Sequence, residues 1–264
     1  MLKIDNLTVQ IKNKVLLNDI SFRIKSGELL VIIGPNGAGK STLLRAIAQE
    51  LPYSGSILFQ NQPITNWDSQ NLAKNRAKFS QHNPQDIPLP VQEVVMMGRY
   101  PYFSNNASNT DLKIVVESLQ LTEMNRFKNQ PYNRLSGGEK QRIHLSRIFA
   151  QLHNSNSDKL MLLDEPLNNL DIYYQHKTLN AIQNFVKQGN VGIIVMHDLN
   201  LAAQFADYIL LLKKGTIVKS GKPDEVLTPN IICNTYEFPC QVMPHPIAKT
   251  PLIIFGEKQQ TPTL

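Results

Sequence analysis

Apolar and polar residues follow three rhythms along the chain. From Leu2 to Ile11, and again from Val15 to Ile24 around a break at Asn18 and Asp19, they alternate, which sends one side-chain set to a buried face and predicts strands. From Leu29 to Ile33, Lys159 to Leu163 and Val191 to Met196 the alternation gives way to short apolar runs, which read as strands buried on both faces. The third rhythm has a helical period. Leu44, Ile47, Ala48 and Leu51 share one stripe, and Leu145, Ile148, Phe149 and Leu152 share another on a helix from about Gly138 to Leu152. Ile172 to Val186 and Leu199 to Ala206 also read as helices. A further helix opens near Asp111, with Leu112, Val115, Val116 and Leu119 on one face and Asp111 in the favourable first turn.

Ser56 to Gln60 and Arg76 to Ser80 add two strands. Tyr208 to Leu212 and Thr216 to Lys219, joined by Lys213, Lys214 and Gly215, form a hairpin; short helices around Asp224 to Leu227 and Pro229 to Tyr236 lead into a proline-containing tail. Strands that alternate with helices predict an α/β fold with a mostly parallel sheet covered on both faces. Between His82 and Leu135 the composition shifts: Pro84, Pro88, Pro90 and Pro101 break short segments, and Ser104 to Asn109 is a polar loop. The expected division is a core of 1–81 and 155–236, a helical subdomain of 82–154 and a tail of 237–264.

The 264 residues suffice for a sizeable core. The longest apolar runs fall far short of the roughly 20 residues that cross a bilayer, and MLKIDNLTVQIK lacks the apolar core of a signal peptide. Cys233 and Cys240 have no CxxC spacing and no clustered histidine, so reduced thiols are expected rather than zinc or a disulfide framework. The net charge of +6 is scattered, forms no basic block, and decides little about nucleic acid or lipid partners.

The strand Leu29 to Ile33 runs into Gly34, Pro35, Asn36, Gly37, Ala38, Gly39, Lys40, Ser41 and Thr42, which match GxxxxGK[ST] at every fixed position. Glycines there let backbone N–H groups approach a polyphosphate, and the helix N-terminus adds more donors. Lys40 would place its charge on the β and γ phosphates of a nucleoside triphosphate, and the Ser41 hydroxyl would be a Mg²⁺ ligand. A glycine-rich loop that merely turns the chain is the alternative, and the coincidence of strand, motif and helix weighs against it.

Further sites stand at element ends. Met161 to Leu163 end in Asp164 and Glu165, where a sheet of this kind opens its ligand crevice. Asp164 is placed to hold Mg²⁺ through water, and Glu165 to orient and deprotonate an attacking water. Ser136, Gly137, Gly138 and Glu139 combine a capping box with two glycines that cost a helix start stability and that backbone approach to a phosphate would explain. The run LSGGEKQR from Leu135 to Arg142 resembles the signature motif of ATP-binding cassette (ABC) proteins, and Gly34 to Ser41 with Met161 to Pro166 completes the resemblance. It implies an ABC-type P-loop ATPase with an antiparallel β subdomain, a mostly parallel core and a helical subdomain. It also implies that Gln81 touches Mg²⁺, that His197 contacts the γ phosphate, and that two cassettes sandwich ATP head to tail, one giving the phosphate loop and the other Ser136 to Gly138.

Within that family, VQEVVMMGRYPYF from Val91 to Phe103 resembles importers for iron-siderophore complexes, heme and vitamin B12. HLSRIFAQL from His144, LDIYYQH from Leu170, HDLNLAAQFAD from His197 and PHPIAKTPLIIF from Pro244 resemble the heme importer ATPases among them. The resemblance implies two transmembrane permease subunits as partners, an extracytoplasmic (periplasmic or surface) binding protein, no nucleic acid, and a peripheral place on the cytoplasmic face of the inner membrane. A siderophore or vitamin B12 cargo stays open, and so, more remotely, do a soluble non-transport ABC protein and a non-hydrolysing nucleotide-binding module. Two departures from the family pattern stand out: Ile11 where an adenine-stacking aromatic is usual, and Leu167 and Asn168 in the loop after Glu165.

Overall fold

The computed structural model describes residues 1–80, 88–156 and 158–256. The two alternating segments form β1 (Leu2–Ile11) and β2 (Lys14–Ile24), which pair antiparallel. The chain continues through β3 (Leu29–Ile33), α1 (Lys40–Ile47), β4 (Ser54–Phe59) and β5 (Gln62–Pro63) to α2 (Ser69–Asn75) and β6 (Arg76–Phe79). A helical stretch follows, with α3 (Val91–Met96), α4 (Asn109–Leu121) and α5 (Gly137–Leu152). Strands and helices then alternate as β7 (Leu160–Asp164), α6 (Ile172–Lys187), β8 (Val191–Val195), α7 (Leu199–Phe205) and β9 (Tyr208–Lys213). The chain closes with β10 (Thr216–Gly221), α8 (Pro223–Val226), α9 (Pro229–Tyr236), β11 (Cys240–Pro244) and β12 (Pro251–Phe255).

One sheet, in the order β2-β1-β4-β5, is antiparallel. The other, in the order β10-β9-β3-β8-β7-β6, is parallel except at the β9–β10 hairpin. The uninterrupted apolar runs are its central strands, and their successive side chains enter two different cores. Leu29, Val31, Ile33, Met161 and Leu163 pack with residues of α5, α6 and α7. Leu30, Ile32, Leu160 and Leu162 pack with α1 and the antiparallel sheet. Such strands need apolar residues at every position, which is why they do not alternate.

A third cluster joins Val91, Val94 and Val95 of α3 to Ile114, Val115 and Leu119 of α4 and Ile143 of α5. Because Leu145, Ile148 and Phe149 of α5 belong to the main core, this helix is shared between the helical layer and the sheet.

One sequence expectation needs correction. Leu112 is exposed, and the buried face of α4 is Asp111, Ile114, Val115, Ser118 and Leu119. The stripe is rotated because a carboxylate goes inside. Asp111 completes a capping box with Ser108 and meets Arg99 Nε at 2.9 Å, while Arg99 Nη1 donates to the Ala150 and His153 carbonyls. The tail, read only as proline-containing, folds into the antiparallel pair β11–β12, with Pro244 and Pro251 at the strand ends where a missing N–H breaks no ladder. No helix among the described residues is long and apolar enough to cross a membrane.

Candidate active site

The turn from β3 into α1 needs glycine at its first position. A Cβ on Gly34, whose φ is 147°, would stand 2.1 Å from the Leu212 carbonyl oxygen of β9. Pro35, Asn36, Gly37 and Ala38 carry the loop to Gly39, the N-cap of α1, and Lys40, Ser41 and Thr42 follow inside the helix's first turn. Lys40 is buried, and its Nζ donates to the Gly34 carbonyl at 2.7 Å and the Pro35 carbonyl at 3.0 Å. Burial holds its ammonium below the usual lysine range, against the raising influence of the Glu165 and Asp164 carboxylates. This cation is wrapped by the loop's own neutral carbonyls, and an anionic phosphate would be a better partner than either.

Across the crevice, β7 ends in Asp164, whose Oδ1 accepts from Ser41 Oγ at 3.0 Å. Burial pushes the Asp164 carboxyl up, the Ser41 hydrogen bond opposes this, and the neighbouring Glu165 charge adds to it. The pair fits Mg²⁺ in donor chemistry, a hydroxyl and a carboxylate oxygen, and a cation there would reverse the effect of burial on Asp164. Among the described residues no group of three His, Cys, Asp or Glu could hold a metal ion. Gln81 lies outside the described residues.

Glu165 is the most constrained side chain of the site. Its backbone adopts φ 52°, uncommon for a residue with a Cβ, and its N–H donates to the Val195 carbonyl of β8. Its Oε1 lies 2.6 Å from His197 Nε2, its Oε2 accepts from Asn168 Nδ2 at 2.7 Å, and its carbonyl accepts from Gln141 Nε2 at 3.1 Å. Burial would raise the Glu165 carboxyl, but the His197 and Asn168 hydrogen bonds, with the charges of His197 and Lys40, hold it below the usual range. An ionised carboxylate is what a water-activating base must be at neutral pH. His197 follows β8 and precedes Asp198, the N-cap of α7. The structure thus brings Lys40, Ser41, Asp164, Glu165 and His197 to one end of the parallel sheet.

The segment Ser136, Gly137 and Gly138 opens α5 with the expected capping box between Ser136 and Glu139. The two glycines differ. A Cβ on Gly138 would lie 2.6 Å from the Asn169 carbonyl oxygen, so packing within the chain already demands glycine there. A Cβ on Gly137 would meet nothing nearer than 4.0 Å. Gly137 is therefore the position that internal packing leaves unexplained.

Asn168 and Gln141 as partners of Glu165 escaped the sequence reading. The three-residue spacing from Glu165 to Asn168 was a usable signal, because a short polar side chain there can reach back. Gln141 lies one turn inside α5 and carries no such sign. Tyr236, at the end of α9, reaches the Gly34 backbone, and burial pushes its phenol up to about 12. Ile11 is exposed where β1 turns into β2.

Residues 17–168 match the ABC transporter family. The chain belongs to that family. Over 254 residues the cassette is 39% identical to a protein of Photobacterium damsela subsp. piscicida named hemin import ATP-binding protein HmuV, covering 96% of this chain and 95% of the relative. It is 39% identical over 255 residues to the protein of that name from Pseudomonas fluorescens (strain Pf0-1), covering 96% and 99%. Among solved structures, the cassette superposes on a metal-chelate type ABC transporter in an inward-facing conformation with a TM-score of 0.81 at 23% identity, covering 97% of each chain. An ATP-binding cassette solved as a dimer in a post-hydrolysis state with ADP and Pi matches with a TM-score of 0.73 at 28% identity, covering 84% of this chain and 99% of the other. The cassette has the ABC P-loop ATPase fold.

Proposed function

We propose that this cassette is the ATP-hydrolysing subunit of a hemin importer. Two copies would work head to tail on two transmembrane permease subunits at the cytoplasmic face of the inner membrane, with a periplasmic or surface binding protein delivering the cargo. The observation that carries the catalytic part is the convergence of the Lys40 cation, the Ser41–Asp164 pair and the Glu165–His197 pair at one end of the sheet. The cargo assignment rests on relatives that bear the hemin import name over nearly their whole length.

In this reading residues 34–42 cradle the phosphates with backbone N–H groups, and Lys40 exchanges its two carbonyl acceptors for β and γ phosphate oxygens. Ser41, Asp164 and Gln81 would hold Mg²⁺, Asp164 through water, and the ion would supply neutralisation of charge on the phosphates. Glu165 orients a water in line with the γ phosphorus and takes one of its protons as the new P–O bond forms and the bond to the ADP oxygen breaks. Before that step His197 turns its Nε2 from Glu165 to the γ phosphate, which frees one Glu165 oxygen for the water. Asn168 keeps the other Glu165 oxygen in place throughout. Ser136, Gly137 and Gly138 of the partner cassette close the site, and Gly137, which no internal contact requires, admits the phosphate. The core of 1–81 and 155–236 binds nucleotide, the helical subdomain of 82–154 presents the signature, and 237–264 is the tail. ATP moves the assembly only if the closed pair binds it more tightly than the open pair.

The deciding experiment is ATPase activity of the chain reconstituted with its permease and binding protein, with and without heme. Heme-dependent stimulation is the expected result. Stimulation by a ferric siderophore or vitamin B12 instead would keep the mechanism and overturn the cargo, and absence of hydrolysis would overturn the catalytic reading.

A further inference from the structure

The strand β12 has two edges. One pairs with β11, with Gln241 opposite Ile254 and Met243 opposite Leu252. The other faces α7, and among the described residues no strand pairs with it there. Instead the Ile253 N–H donates to Asn200 Oδ1 at 2.8 Å, and the Ile253 carbonyl accepts from Asn200 Nδ2 at 3.2 Å. A carboxamide carries the donor and acceptor of a peptide group, so the Asn200 side chain acts as a one-residue strand partner. The Ile253 side chain is buried in the same core cluster as Met196, Leu199 and Leu201. Among the described residues of β11 and β12 it alone is fully buried. The hairpin is fixed at its far end as well, where Phe255 packs on Tyr236 of α9 and on Phe238.

The helix that Asn200 belongs to has seven residues, too short to hold itself by helix propagation. Its place is set by what it is tied to. At the C-terminal end Asp207 exchanges two hydrogen bonds with Leu29 of β3, its Oδ2 accepting at 2.8 Å and its N–H donating at 3.0 Å. At the N-terminal end Asp198 Oδ1 accepts from the N–H groups of Asn200 and Leu201, which shapes the turn but anchors it to nothing outside the helix. Among the described residues, the polar tie from that turn to the rest of the fold is the Asn200–Ile253 pair. His197 stands three residues before Asn200, between the end of β8 and this turn.

We infer that Asn200 is a positioning residue for hydrolysis: by clamping the C-terminal hairpin it fixes the first turn of α7 and thereby aims His197 at Glu165 and the γ phosphate. The inference rests on the role proposed for His197. It gives the tail, which lies beyond residues 17–168 that match the family, a part in the chemistry.

The test is steady-state ATPase kinetics of the permease-bound complex carrying Asn200→Ala, Asn200→Asp, Ile253→Val or His197→Ala. Asn200→Ala should lower kcat about ten-fold and leave KM for ATP within about two-fold, since a misaimed side chain costs turnover rather than nucleotide binding. Asn200→Asp keeps the acceptor for the Ile253 N–H and loses the donor to its carbonyl, so it should fold and lose about three-fold in kcat. Ile253→Val thins the core but keeps the backbone pair, and should lower the unfolding midpoint by a few degrees with kcat unchanged. If both Asn200 variants keep the wild-type kcat while His197→Ala loses it, the inference is overturned and the site reading stands. If Asn200→Ala does not fold, the Asn200→Asp kinetics decide alone. Full turnover by His197→Ala would overturn the site reading and this inference together.

Discussion

Lys40 and Arg99 are buried to nearly the same degree, at 6% and 4% exposure, yet their partners differ in kind. Lys40 donates to two neutral carbonyls of its own loop, with the Asp164 and Glu165 charges nearby. Arg99 has a carboxylate in contact, two carbonyls in reach and the Tyr102 ring 3.6 Å below its guanidinium. One cation is held by neutral groups it can relinquish and the other by a counter-charge in direct contact. A buried charge of the first kind can take a ligand, whereas one of the second kind fixes the fold. The same contrast separates Glu165, whose bond to His197 would open in the proposed mechanism, from Asp111, whose bonds to Ser108 and Arg99 have no part in it.

The sharpest way to break this contrast is to remove one carboxylate from each place. Glu165→Gln preserves shape and deletes the base, so hydrolysis should fall by about 10²- to 10⁴-fold. ATP binding, read by nucleotide titration, should persist, and the unfolding midpoint should stay within a few degrees of wild type. Full ATPase activity in this variant would remove Glu165 from the mechanism.

Asp111→Ala should do the reverse. It leaves the Arg99 cation buried without its counter-charge, which costs about 3–5 kcal/mol of stability. Urea denaturation would read that loss, while turnover per folded molecule stays near wild type. If Asp111→Ala instead slowed turnover with little loss of stability, the helical layer would share in the chemistry and the contrast would fail.

The two regions also differed in how far they could be read from the residues alone. Leu29–Ile33, Leu160–Asp164 and Val191–Val195 were recognisable because burial on both faces leaves an unbroken apolar run. Glu165 stood out as a candidate because it stands where such a run stops, whereas His197 was singled out only through the family resemblance. Asp111 stands in the first turn of its helix as expected, but the buried stripe was drawn through the exposed Leu112, since a periodicity that counts apolar residues cannot register a carboxylate turned inward to meet Arg99. Asn168 and Asn200 were missed for a related reason. Their roles are single polar contacts, one to a side chain three residues away and one to a strand about fifty residues on. Nothing in their own segments marks which partner the fold will supply.

His144 offers the smallest effect and tests the contrast from a third side, because it is buried without charge. It lies on α5, 2% exposed, with Nε2 2.7 Å from the Tyr132 hydroxyl and with Nδ1 unpartnered among the described residues. Burial, with the Arg147 charge, lowers its pKa from 6.5 to about 3. The unfolded chain therefore binds a proton that the folded chain refuses between these values, and stability falls as pH falls through that window. The slope approaches about 1.4 kcal/mol per pH unit once the unfolded histidine is fully protonated, and His144 contributes none well above pH 6.5. His144→Gln retains a partner for Tyr132 and does not titrate. Urea denaturation of wild type and variant at pH 7 and pH 5 should give curves whose separation changes with pH in the variant's favour on the acid side. Equal acid sensitivity would mean that the folded chain accepts the proton. His144 would then belong with Lys40 among the buried groups whose partners can be exchanged, rather than with the fixed contacts of the helical layer.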